Sequence, residues 1–225
     1  MRALFVRNAR LQVLLDPDAE LWRSVPAEVI ALSGTPSALQ PTAAVRAAFP
    51  EGSIGAIKAV TVAVAHNGSD IAFRLQWQDA SADTGAEGQD DTGFPDAAAL
   101  LFPTGAKAPL MSMGAPGLPV NAWYWRADEP DRGRQVSAEG LGSSETVDRD
   151  LVKVQGGHRN GEWHVVIARA MQATASRPVA QLGAGGRIGV SFAIWEGSRG
   201  ERAGIKAFAL GPHEGWHKLV LDAIA

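Results

Sequence analysis

Short runs of alternating apolar and polar side chains recur along this chain. Ile57 to Ala65 (IKAVTVAVA) alternates, His66–Asn67–Gly68–Ser69–Asp70 turns, and Ile71 to Trp77 (IAFRLQW) alternates again. Asn-Gly between two such runs predicts a β-hairpin, because tight hairpin turns need residues that accept positive φ. In the second run Ile71, Phe73, Leu75 and Trp77 share one face, while Arg74 and Gln76 lie on the other. A second hairpin is expected where Leu151 to Gln155 and Trp163 to Arg169 flank Gly156–Gly157–His158–Arg159–Asn160–Gly161. Arg187 to Trp195 (RIGVSFAIW) places Ile188, Val190, Phe192 and Ile194 on one side, and Trp216 to Leu221 reads as the last strand.

The remaining segments are weaker. Met1 to Leu15 alternates loosely and is expected as a first strand. Asp16 to Pro26 reads as a turn with a short helical piece, and Val29 to Phe49, rich in Ala, Pro and Thr, as irregular chain. Asp79 to Gly93 is expected as an exposed acidic loop. Phe94 to Phe102 is a short apolar element opening with Pro95. Ala127 to Val147 is expected as a long polar excursion over the surface. Eight to ten short strands without a long helix imply an all-β protein, a single β-sandwich domain over residues 1–225 with long loops.

Composition narrows the chemistry. The 225 residues contain no cysteine, which excludes disulfides, cysteine-bound zinc or iron–sulfur clusters, covalent c-type heme and thiol catalysis. A net charge of −3 gives no broad cationic field for nucleic acid or anionic lipid. No run approaches the roughly 18 apolar residues of a membrane span. Arg7 and Arg10 break the early apolar run, so no signal peptide is read there. The histidines His66 and His158 read as solvated turn residues, His164 as a strand residue, and His213 and His217 flank Gly215 without helical spacing. No nucleophile elbow or phosphate loop occurs. Asp90, Asp91 and Asp96 match no EF-hand spacing and read as a solvated acidic loop. An enzyme acting alone is therefore not expected.

One stretch concentrates the unusual residues. Pro109 to Trp125 (PLMSMGAPGLPVNAWYW) carries Met111 and Met113, a forced turn from Gly114 to Pro119, and an aromatic strand-like run. A non-covalent heme needs one or two axial donors and a flat apolar slot, about as wide as the roughly 10 Å spacing of packed sheets. A methionine thioether can serve on one face. Lys206, in the mostly apolar GIKAFAL, can serve on the other only if burial keeps its amine neutral. On composition alone Lys206 reads more readily as a lysine snorkelling off a strand edge. Trp123, Trp125 and Trp195 could instead form the stacking platform of a carbohydrate- or ligand-binding module without heme.

Several motifs together resemble one family. They are Asp16–Pro17 with Trp22, Val64 to Trp77, Phe94–Pro95–Asp96–Ala97, Met113–Gly114 followed by Pro119 to Arg126, and Phe192 to Ser198 with Gly204–Ile205–Lys206. The chain resembles the heme b-binding gamma subunits of the type II branch of the dimethyl-sulfoxide reductase family, of which the ethylbenzene dehydrogenase gamma subunit is one. The resemblance implies a β-sandwich carrying one heme b, with Met113 as the methionine ligand and Lys206 as the lysine ligand. Met111 competes with Met113, and Asn121, Trp123, Trp125 and Phe192 are expected beside the cofactor. It further implies an iron–sulfur beta subunit and a molybdenum-containing alpha subunit as partners, an external carrier such as a c-type cytochrome, and a periplasmic location.

Overall fold

The computed structural model describes residues 1–40, 42–85, 93–105, 107–213 and 215–224. Among them are fourteen strands and two short helices. In chain order these are β1 (Arg2–Phe5), α1 (Leu11–Leu15), β2 (Ala27–Ala31), β3 (Ser33–Gly34), α2 (Ala43–Ala48), β4 (Ala59–His66), β5 (Asp70–Gln78), β6 (Ala97–Pro103) and β7 (Val120–Arg126). They continue with β8 (Arg134–Ala138), β9 (Glu145–Asp148), β10 (Lys153–Arg159), β11 (Glu162–Ala170), β12 (Arg187–Trp195), β13 (Ala207–Phe208) and β14 (His217–Leu221).

The all-β reading holds, and both predicted hairpins form. β4 and β5 pair antiparallel from Thr61 against Gln76 to His66 against Ile71. Between them Gly68 takes φ +98°, and the Asn67 side-chain oxygen accepts the Ser69 and Asp70 amides at 2.9 and 2.7 Å. The second hairpin is tighter than expected. β10 runs on through Arg159, and only Asn160 and Gly161, both at positive φ, make the turn.

Elsewhere the elements differ from the pattern-based expectation. The first strand ends at Phe5 and Leu11–Leu15 is helical. The segment expected as irregular supplies β2, which pairs with β4. The expected excursion over 127–147 contains β8 and most of β9, which extend the sheet beyond β7. β8 escapes recognition because its inward positions are polar: Gln135 and Ser137 are buried, and Gln135 is satisfied by accepting from Arg169 Nη1 at 3.2 Å. Of the loop expected to be exposed at 79–93, Asp79 and Asp83 are buried, as is His66. Asp90 and Asp91 lie outside the described residues.

The sheet order is β10-β11-β5-β4-β1-β14-β12-β6-β7-β8-β9, and β12 joins its two halves. Residues Arg187–Val190 pair with β14, while Ser191–Trp195 pair with β6. The two halves face one another as a sandwich. Phe73 of β5 meets Phe102 and Trp123 at ring separations of 5.8 and 5.9 Å, and Trp77 meets Trp125 at 6.1 Å. Strand period two then sorts the second half. Ala98, Leu100, Phe102, Trp123, Trp125, Phe192 and Ile194 belong to the interior. Ala97, Ala99, Leu101, Ala122, Ala193, Trp195 and Phe208 form a separate apolar cluster on the reverse face.

Candidate functional site

The reverse face of β6, β7 and β12 is floored by small residues. Ala99, Ala122 and Ser191 alternate there with larger neighbours at the margins, and little side-chain volume stands above the strands. A cavity of about 460 Å³ lies over this floor. Its walls include Leu110, Met111 and Met113 on one side, Leu39, Gln40, Gly204 and Lys206 on another, with Tyr124, Arg134 and Trp195 at the margins. That volume is within the range of cofactor pockets in proteins.

Met113 reaches the cavity because the connection between β6 and β7 folds back over the sheet. The turn is closed by the Met113 amide donating to the Leu110 carbonyl at 2.9 Å and the Gly114 amide to Pro109 at 2.8 Å. Trp216 Nε1 donates to the Ala108 carbonyl at 3.1 Å, and the Gly140 amide to Met113 at 3.0 Å. Met113 itself takes φ +56°, a left-handed conformation uncommon for a non-glycine residue. Gly114 follows at φ +89°. A Cβ there would stand 2.5 Å from the Ala138 carbonyl oxygen and 2.9 Å from that of Leu118. Gly114→Ala is therefore expected to lower stability by about 1–3 kcal/mol in denaturant unfolding and to displace Met113 from the cavity.

Lys206 arrives from the opposite side. Trp195 Nε1 donates to the Ala203 carbonyl at 3.1 Å, and Ala203 takes φ +51°. Thr35 then pins the backbone of Lys206: its amide donates to the Lys206 carbonyl at 3.0 Å, and its hydroxyl accepts the Lys206 amide at 3.2 Å. The same hydroxyl lies 2.6 Å from the Gly204 carbonyl oxygen, and Gln40 Nε2 donates to that carbonyl at 3.0 Å. The ammonium has no carboxylate partner among the described residues. It stands 5.0 Å from the Trp195 ring centre. Burial lowers its pKa to about 8, because the charged form loses water without a compensating anion.

The two expected ligands meet. Lys206 Nζ lies 3.8 Å from Met113 Sδ. A thioether is a soft metal donor and a deprotonated amine a nitrogen donor, so this contact pairs two groups that could hold one metal ion. Met111 lines the same cavity but is 39 % exposed, whereas Met113 carries the sulfur paired with the lysine.

The other residues expected beside a cofactor are elsewhere. Asn121, Trp123, Trp125 and Phe192 all point between the two halves of the sandwich and are fully buried there. Asn121 accepts the Ala180 amide at 3.1 Å and donates to the Val136 carbonyl at 2.8 Å. Their expected place is corrected by strand period. The cavity lies outside one sheet and is not between the two, so the alternate residues Ala122, Tyr124, Ser191 and Trp195 line it. The same burial removes the expected sugar platform, since Trp123, Trp125 and Trp195 are all buried. Thr35, Leu39 and Gln40 carried no signal in the sequence, because they belong to a stretch without periodicity. Tyr124 was readable as a neighbour of the aromatic run, but the run does not say which face is outward.

The model of one protein family, described as ethylbenzene dehydrogenase, matches residues 19–149 and 132–207. The chain belongs to that family. A chlorate reductase gamma subunit from Ideonella dechloratans is 31 % identical over 86 % of this chain and 76 % of its own length. A dimethylsulfide dehydrogenase gamma subunit from Rhodovulum sulfidophilum is 28 % identical over 87 % and 72 %. A protein of Haloferax mediterranei named as a respiratory nitrate reductase heme subunit is 32 % identical over 85 % of this chain. The match spans 64 % of that archaeal protein, just under two thirds of its length. The resemblance to gamma subunits drawn from the motifs is thereby borne out. Among solved structures, a family 9 carbohydrate-binding module from Caldicellulosiruptor kristjanssonii in complex with cellotriose superposes with a TM-score of 0.55, covering 100 % of this chain and 95 % of that one. The same module with glucose gives 0.53, covering 100 % and 97 %. At 8 % identity in both cases this likeness concerns the sandwich fold alone.

Proposed function

We propose that this chain is a non-catalytic electron-transfer subunit of a molybdenum oxidoreductase complex, holding one heme b between Met113 and Lys206. The observation that carries the reading is the pairing of thioether and amine across the cavity, 3.8 Å apart. When bound, the iron porphyrin would supply a one-electron couple. The chain's residues would do the rest. Met113 offers a soft donor that favours the reduced ion and raises the potential. Burial lowers the Lys206 pKa to about 8, which makes the neutral, metal-binding amine easier to reach than in a free lysine. The alanine floor admits a flat ring, and Leu110 and Trp195 exclude water around it. If Met113 and Lys206 both held the iron, the protein would leave no place on it for a substrate.

In this reading the partners are an iron–sulfur beta subunit and a molybdenum-containing alpha subunit. The chain relays electrons between that cluster chain and an external carrier such as a c-type cytochrome. The gamma-subunit names of the relatives support membership of such an assembly, and a periplasmic location is part of the same proposal. The test is titration of the purified, heme-free chain with hemin. Saturation at one equivalent is expected, with the sharp low-spin visible bands of a six-coordinate heme b on reduction. Absence of uptake, or a high-spin spectrum at saturation, would overturn the reading.

A further inference from the structure

Three carboxylates that play no part in the cavity converge at one end of the sandwich. Asp79 directly follows β5, Asp96 directly precedes β6, and Glu196 directly follows β12. An oxygen from each lies within 4.8 Å of the other two. They are 7 %, 0 % and 5 % exposed. Packing three anions together away from water is costly unless each is hydrogen-bonded or balanced by a cation.

The balance inside the protein is incomplete. Asp96 is well supplied: Oδ1 accepts the Gly197 amide at 2.8 Å, and Oδ2 accepts the Asp83 amide and Trp163 Nε1, both at 2.9 Å. Glu196 Oε1 accepts the Ser198 amide at 3.2 Å and the Ser198 hydroxyl at 2.5 Å. Asp79 is different. Its Oδ1 has one long bond, from the Ser81 amide at 3.3 Å. Its Oδ2 is buried with no hydrogen-bond partner among the described residues. Among the described residues the ion pair to this group is Arg199 Nε, 3.9 Å from Glu196 Oε2 on a side chain that is 74 % exposed. His158 bonds the main-chain carbonyl of Asp79 at 2.9 Å and leaves the carboxylate untouched. A neighbouring carboxylate, Asp83, is also buried and accepts the Ser81 hydroxyl at 2.8 Å.

We propose that Asp79, Asp96 and Glu196 form a structural site for a divalent cation of the calcium class. Hard carboxylate oxygens with no nitrogen or sulfur donor select such an ion. Two oxygens bound to one calcium at about 2.4 Å each stand at most about 4.8 Å apart, which the cluster satisfies. The orphaned Asp79 oxygen is the ligand the ion would complete. Protonation is the competing way to relieve the repulsion, and without an ion burial pushes Asp79 up to about 7, with Asp96 nearby adding to the rise, and Asp96 up to about 6.

The placement gives the ion a role. It would tie β5 of one half of the sandwich to β6 and β12 of the other, at the end of the interior where Trp163 caps the aromatic packing. It would also anchor the start of the segment that runs to Lys206. This inference stands apart from the heme reading, and each can fail alone.

Terbium tests it directly, because Trp163 donates to one of the proposed ligands and an indole that close sensitises lanthanide emission. The chain is treated with chelator, freed of it, and titrated with Tb³⁺ under tryptophan excitation. One equivalent of sensitised emission is expected, displaced by Ca²⁺, and Ca²⁺ should raise Tm while chelator lowers it. Asp79→Asn is expected to weaken Ca²⁺ binding at least about tenfold and to remove the Ca²⁺-dependent shift in Tm, while folding normally in chelator because it deletes an orphaned anion. Glu196→Gln provides the same readout should Asp79→Asn misfold. A wild-type Tm indifferent to both Ca²⁺ and chelator, or a folded variant that binds Ca²⁺ as tightly as the wild type, would overturn the site.

Discussion

Replacing Lys206 with alanine is expected to convert the reconstituted heme from low spin to high spin and to weaken its retention. Lys206 Nζ is the nitrogen donor facing Met113 Sδ, 3.8 Å away. The Trp195 ring, 5.0 Å off, offers no lone pair to iron. Water could enter the vacated position, but it is a weak-field ligand and leaves the iron high spin. Met113→Ala should act on the other face in the same way. There Met111 stands in the same cavity and gives the variant a second chance at a thioether bond, so Met111→Ala/Met113→Ala is the cleaner comparison. Visible spectra and electron paramagnetic resonance of the three variants read the outcome. Retention of the wild-type low-spin spectrum in both Lys206→Ala and the double methionine variant would sink the ligand assignment.

The second large effect concerns stability and leaves the cofactor spectrum alone. Trp123→Ala is expected to cost about 3–5 kcal/mol, a large part of the 5–15 kcal/mol typical of a folded domain. Trp123 is wholly buried and sits at the centre of the inter-sheet packing. Its ring lies 4.6 Å from that of Phe102 and 5.9 Å from that of Phe73, and the Arg169 guanidinium carbon is 4.6 Å from its centre. Arg169 itself is buried and bonded to neutral acceptors, Gln135 Oε1 and the Ala180 carbonyl among them. Losing the indole therefore opens a cavity and strips a buried cation of one face of its packing. The shift in denaturant midpoint measures the loss. The heme spectrum of the remaining folded protein should match the wild type, because Trp123 and the cavity lie on opposite faces of β7.

Those two variants also mark how far residue patterns reach. The hairpins were legible because alternation and Asn-Gly act locally, and one strand pair suffices to realise them. β8 was not, because its inward residues are polar and satisfied by partners far along the chain, such as Arg169. Met113 and Lys206 stood out as chemically odd residues in apolar surroundings, and the fold brings their side chains to within 3.8 Å of one another. Asn121, Trp123, Trp125 and Phe192 fall away from the cavity because alternation sorts a strand into two faces without saying which one borders it. Asp79, Asp96 and Glu196 were invisible as a group, since each lies at the end of a different strand and only the fold brings them together.

The alanine-floored reverse face has a consequence for cofactor uptake. The interior between the two halves contains Phe73, Trp77, Trp123 and Trp125, and none of them lines the cavity. In the proposed function, cofactor uptake would draw on none of those aromatic contacts, and its cost would fall instead on the wall that supplies Leu110, Met111 and Met113.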